Sequence, residues 1–165
     1  MFKKPAQANL TQEELLLKKF YSARSNLLLA IFLTIVNIVL YYTGDDAMLL
    51  FSMSVPYYAV IFSDLMSLGS VGIIIAVVVL ALYFVSWFLS GKRPGWLSLA
   101  LVLFICDTLS MVGLYILVGD FSGFLDALIH IWVLYYLISG LIAIKKLKNL
   151  EVGPEIVDST AAFEE

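Results

Sequence analysis

Four apolar runs separated by short polar turns set the plan of the chain: residues 26–42, 64–89, 96–118 and 124–144. About 20 residues of helix cross the hydrocarbon of a bilayer, so each run predicts one transmembrane helix. The second could begin at either Ser63 or Ser70. Between the first two runs lies an apolar segment, 47–62, too short for a further span and interrupted by Pro56. Such a run re-enters the membrane or lies on its surface, and the paired Tyr57 and Tyr58 suit the headgroup level. The predicted fold is an all-α integral membrane protein. Residues 24–148 form a four-transmembrane-helix bundle, preceded by an N-terminal interfacial helix and carrying a re-entrant or interfacial segment after span one.

The flanks differ from the bundle. Residues 1–23 read as a leader and an amphipathic helix. Thr11 with Glu14 three residues on makes a capping box, and Glu14 and Lys18 are spaced for a helical ion pair. Leu16, Leu17, Phe20 and Tyr21 form an apolar stripe suited to the membrane surface. The polar stretch before the first run, with no small-x-small cleavage site after it, predicts a signal anchor that is kept. Residues 149–165 carry five acids and no base, which predicts a solvated, disordered tail.

Composition rules out several classes. Of 165 residues, 62% are hydrophobic and 14% charged, against about 25% charged in soluble domains. A formal charge of −3 with no basic stripe gives nucleic acid nothing to bind. Cys106 is the single cysteine, so no internal disulfide or cysteine metal cluster exists; it reads as a small packing residue.

The basic residues set the orientation. Five precede span one, Lys92 and Arg93 form the middle turn, and Lys145, Lys146 and Lys148 follow span four. With four spans all ten fall on one side, and the positive-inside rule predicts both termini in the cytoplasm. A fifth span at 47–62 would divide them. The format is that of a multi-pass protein of a bacterial plasma membrane.

Against this background the polar residues inside the spans stand out. Asn26, Ala30, Thr34, Asn37 and Tyr41 recur at 4, 4, 3 and 4 residues, which places them on one face of span one. Small and polar residues on such a face meet other helices, or line a cavity. Asp107 lies near the middle of span three, and Asp126 and His130 in the outer half of span four. An aspartate at the centre of a membrane helix costs roughly 2.5–3.5 kcal/mol on insertion scales. The depths of Asp107 and His130 differ by roughly 6–8 Å at the helical rise, within reach of long side chains and tilt. Asp64, with the small residues Ser67, Gly69, Ser70 and Gly72 behind it, joins Asp120 at the outer end. Leu33–Asn37 and Leu103–Asp107 share a Leu-x-Ile-x-Asn/Asp pattern, either the trace of two hairpin repeats or a coincidence of apolar composition.

Three functional readings follow. An ionisable cluster of Asp107, Asp126 and His130, with Asp64, Asn37 and Thr34 as contributors, suits transport or permeation of protons, cations or a small polar solute from the outer face. The same groups could interlock with another membrane protein, the chain then being a non-catalytic subunit or assembly factor. Membrane-embedded hydrolysis would need a divalent metal on His130, Asp126 and Asp107, although catalytic zinc usually has two or three histidines. No HExxH or GxSxG motif is present, and no cofactor is predicted on the transport reading. The expected surroundings are lipid and either a homo-oligomer or a larger membrane partner.

Overall fold

The computed structural model describes residues 11–44, 49, 52–119 and 124–152, the last two by backbone alone. The leader, Asp45, Asp46, Asp120 and the acidic tail from Gly153 onward lie outside the described residues. Five helices follow in order: α1 (Gln12–Thr43), α2 (Ser54–Leu65), α3 (Val71–Ser90), α4 (Trp96–Val118) and α5 (Phe124–Val152). There is no strand among the described residues. All but α2 are long and apolar enough to cross a membrane.

The predicted interfacial helix and span one are a single helix. No glycine or proline lies between Gln12 and Thr43 to break it. Thr11 and Glu14 form the expected capping box at its start, and Gly44 closes it at φ 75°. The Glu14 carboxylate bonds the Thr11 N–H and hydroxyl, while Lys18 is exposed without an ion pair among the described residues. At the other end α5 continues past Ile144 to Val152, so three lysines sit inside the helix rather than after it.

Span two starts later than residue 64. Ser67 (φ 55°) and Gly69 (φ 63°) adopt left-handed backbone between α2 and α3, which ends one helix before the next can begin. Asp64 therefore belongs to α2. Of the two starts read from the sequence, Ser70 is the cap residue of α3.

Buried positions recur at alternating steps of three and four along α1 and α4. The series is Leu16, Phe20, Ala23, Leu27, Ala30, Thr34 and Asn37 on α1, and Leu97, Ala100, Phe104, Asp107 and Met111 on α4. This is the seam of a left-handed bundle. Small residues let the helices approach: a Cβ on Gly140 would overlap that of Ala23, pressing α5 on α1. A Cβ on Gly72 would collide with the Ala59 carbonyl and Ser63 of α2. The end where α1 starts and α5 finishes carries the described basic residues. There Arg24 donates from Nε to Ser90 Oγ (3.1 Å) and from Nη2 to the Trp87 carbonyl (3.3 Å), closing the C-terminus of α3.

The opposite half of the bundle holds α2. After Gly44 the chain doubles back along α1, because Leu49 pairs with Asn37 and Met53 with Thr34. Helix α2 then runs toward the far end again, where Tyr41 donates to Asp64 Oδ2 (3.1 Å). It thus begins halfway along the bundle and finishes at the end from which the chain entered.

Candidate functional site

A helix that starts inside a protein presents N–H groups with no partner in its own first turn. In α2 every one is accounted for. Met53, the cap residue, has no capping side chain, but its N–H donates to Thr34 Oγ1 (2.7 Å), and that hydroxyl donates onward to the Ala30 carbonyl (2.7 Å). The Ser54 N–H donates to Asp107 Oδ2 (3.0 Å) and the Val55 N–H to Asp107 Oδ1 (2.7 Å). The next residue is Pro56, which has no N–H to satisfy. Proline therefore opens α2 and does not interrupt it. The buried carboxylate of Asp107 on α4 takes the place of a capping residue and lies at the positive end of the α2 dipole.

Asn37 does the same for the segment leading in. Its Nδ2 donates to the Leu49 carbonyl and its Oδ1 accepts the Leu49 N–H, both at 2.8 Å. The two positions matched in the sequence echo, Asn37 and Asp107, both hold non-helical or helix-starting backbone. Thr34 and Asn37 are fully engaged in this task.

His130 of α5 meets the cluster from the other side. Its Nε2 lies 3.2 Å from Asp107 Oδ2 and 3.4 Å from Ser54 Oγ, and its Nδ1 lies 3.0 Å from the Asp126 carbonyl. Phe104 stacks on the ring at 5.2 Å between centroids, tilted by 31°. Asp107 and His130 are 2% and 1% exposed, so the imidazole and the carboxylate face each other away from the surface of the bundle. Both ring nitrogens face acceptors, an arrangement that the doubly protonated imidazole satisfies in full.

Asp126 extends the chain of polar groups toward the far end. Its Oδ1 stands 3.6 Å from His130 Nδ1, an ion-pair contact too long for a hydrogen bond, and has no hydrogen-bond partner among the described residues. Its Oδ2 accepts from the Tyr115 hydroxyl at 3.4 Å. Tyr115, Asp126, His130 and Asp107 thus form one series reaching from the last turn of α4 to the middle of the bundle. Beyond it, toward the basic end, lie Phe104 and Tyr83, edge to face at 6.5 Å. The Tyr83 hydroxyl is buried without a partner among the described residues. Beside Asp107 a cleft of about 260 Å³ separates α2 from α4, lined by Ser54, Val55, Tyr58, Ser110, Met111 and Leu114 among others.

The structure brings Asp107, Asp126 and His130 together and leaves Asp64 apart. Asp64 is exposed and lies ten residues along α2 from Ser54, about 15 Å at the helical rise. Tyr115 and the backbone N–H groups of Ser54 and Val55 are the members that sequence reasoning missed. The Ser-Val-Pro triplet was the available signal, since proline favours a helix's first turn. Among the described residues no group of three His, Cys, Asp or Glu side chains is placed to hold a metal. The Asp107 oxygens each accept a backbone N–H instead. Comparison with family models, curated proteins and solved structures found no match to this chain.

Proposed function

We propose that the chain is a multi-pass protein of a bacterial plasma membrane, with both termini cytoplasmic, and that it mediates proton-responsive permeation of protons, cations or a small polar solute from the outer face. On this reading α2 is a re-entrant helix and the movable part. Such backbone is tolerated at membrane depth only where protein or water satisfies it, and Asp107 supplies that satisfaction. The observation that carries the proposal is the double use of one carboxylate: Asp107 accepts the N–H groups of Ser54 and Val55 while Oδ2 also meets His130 Nε2.

The chemistry follows from that double use. A proton taken up by the imidazole, which the Asp126 carboxylate faces at 3.6 Å, can pass from Nε2 to Asp107 Oδ2 at 3.2 Å. Protonation removes the charge that complements the α2 dipole and converts one acceptor oxygen into a donor. The Ser54 N–H then faces a neutral hydroxyl oxygen, a weaker acceptor than the carboxylate, so the hold on the first turn of α2 loosens and the cleft beside α4 can widen. Because the series ends on the backbone of α2, the proton acts on the gate and need not cross the bundle.

Flux from proteoliposomes tests this. Wild-type protein is expected to release a trapped small cation faster as the outer pH falls. His130→Ala keeps the Asp107 cap on α2 but removes the relay, so its flux should no longer respond to pH. A pH response in His130→Ala equal to wild type, or no flux at any pH, would overturn the proposal.

A further inference from the structure

At the basic end a groove runs between α1 and α5. Two adjoining hollows of about 230 and 270 Å³ share Lys19, Tyr135 and Ser139. The first continues over Leu16, Ile138 and Ile142 to Lys146; the second adds Lys18 and Ser22. Three ammonium groups therefore border one apolar trough, and none has an ion pair among the described residues. The acid nearest Lys18 and Lys19 in sequence, Glu14, is tied to Thr11 by the capping box. The hydroxyls of Ser22 and Ser139 make no hydrogen bond among the described residues, whereas those of Ser86 and Ser110 return to helix carbonyls. Cations and free hydroxyl donors beside a strip of isoleucine and leucine match a molecule with an anionic head and a hydrocarbon tail. Basic pockets between helices at the cytoplasmic side are the usual form of such sites.

We infer that the α1–α5 groove holds one anionic phospholipid. Its phosphate lies among Lys18, Lys19 and Lys146, its glycerol oxygens meet Ser22 and Ser139, and an acyl chain follows Ile142 and Ile138. The site is separate from the Asp107 cluster at the other half of the bundle, and its test does not depend on transport.

The full chain, purified in a neutral detergent, is examined by native mass spectrometry with added phosphatidylglycerol or phosphatidylcholine. One phosphatidylglycerol should be retained and phosphatidylcholine should not. Each lysine near a phosphate contributes roughly fivefold in affinity, so Lys19→Gln with Lys146→Gln should bind roughly thirtyfold more weakly. Lys92→Gln with Arg93→Gln removes as much charge from the same end but outside the groove, and should retain the lipid as wild type does. Equal loss in both double variants, or equal retention of the two lipids, overturns the inference. Retention that appears only after removal of residues 153–165 would assign the groove to the acidic tail instead.

Discussion

The two halves of this bundle solve different problems with the same helices. At the basic end α1, α4 and α5 meet through Phe20, Ala23, Leu27, Leu97, Leu137 and Gly140, a seam of apolar and small residues. At the far end α2 is added, and the same seam positions become Thr34, Asn37, Asp107, Asp126 and His130. The difference lies in the backbone. Where every segment is a long helix its hydrogen bonds are internal, and side chains need only fit. Where the chain doubles back and a helix starts in the interior, N–H and C=O groups need outside partners. The polar residues stand opposite those groups, which accounts for most of their cost to the fold. His130 and Asp126 go beyond this need, since they bond no backbone of α2, and on that surplus the functional proposal rests.

The largest test of the contrast is Asp107→Ala. It leaves the N–H groups of Ser54 and Val55 buried and unpaired, at about 1–3 kcal/mol each, so the far half should lose roughly 2–6 kcal/mol. Ser54→Cys, placed on this background, should become open to a water-soluble thiol reagent while Ala23→Cys at the basic end stays protected. Uniform exposure of both sites would mean that the halves are one cooperative unit and that the contrast is merely chemical.

A smaller effect separates the two close approaches. Gly72→Ala forces a methyl group into the Ala59 carbonyl and Ser63, and Gly140→Ala forces one into Ala23. Overpacking of this kind costs about 1–3 kcal/mol. Gly72→Ala should push α2 off α3 and weaken the pH response of flux through the Ser54 and Val55 bonds. Gly140→Ala should lower thermal stability in detergent by a similar amount and leave the pH response intact. A reversed pattern would detach α2 from the gate.

How far the sequence could be read divides along the same line. The four long helices are visible because twenty apolar residues in a row admit few other structures, and the three ionisable residues because charge in such a run is costly. What joins them is not visible. Asp107 and Asn37 bind backbone, and a backbone N–H leaves no letter in the sequence. Pro56 looked like a break because a proline in an apolar run reads the same whether it starts a helix or stops one; only the position of Met53 beside Thr34 decides. Asp64 was drawn to span two by its apolar neighbours, since the left-handed Ser67 that separates the helices is a residue type that rarely takes that conformation.

The smallest expected effect probes the basic half alone. Arg24 carries no carboxylate partner among the described residues; it closes the C-terminus of α3 through the Trp87 carbonyl and Ser90, and lies 5.3 Å from the Trp87 ring centre. A cation at a helix C-terminus contributes about 0.3–1 kcal/mol, and one over an exposed indole about 0.5–1 kcal/mol. Because Arg24 is half-buried and its two terms share one side chain, Arg24→Gln should cost about 1 kcal/mol, read as a drop of a few degrees in the unfolding midpoint. Arg24→Lys should recover part of that loss, since the charge returns without the planar fork that reaches Ser90 and Trp87 together. Neither variant touches α2, so pH-dependent flux should match wild type in both. A shifted pH response in Arg24→Gln would show that the closed end of α3 communicates with its other end at Gly72, and the two halves would then have to be treated as a single coupled structure.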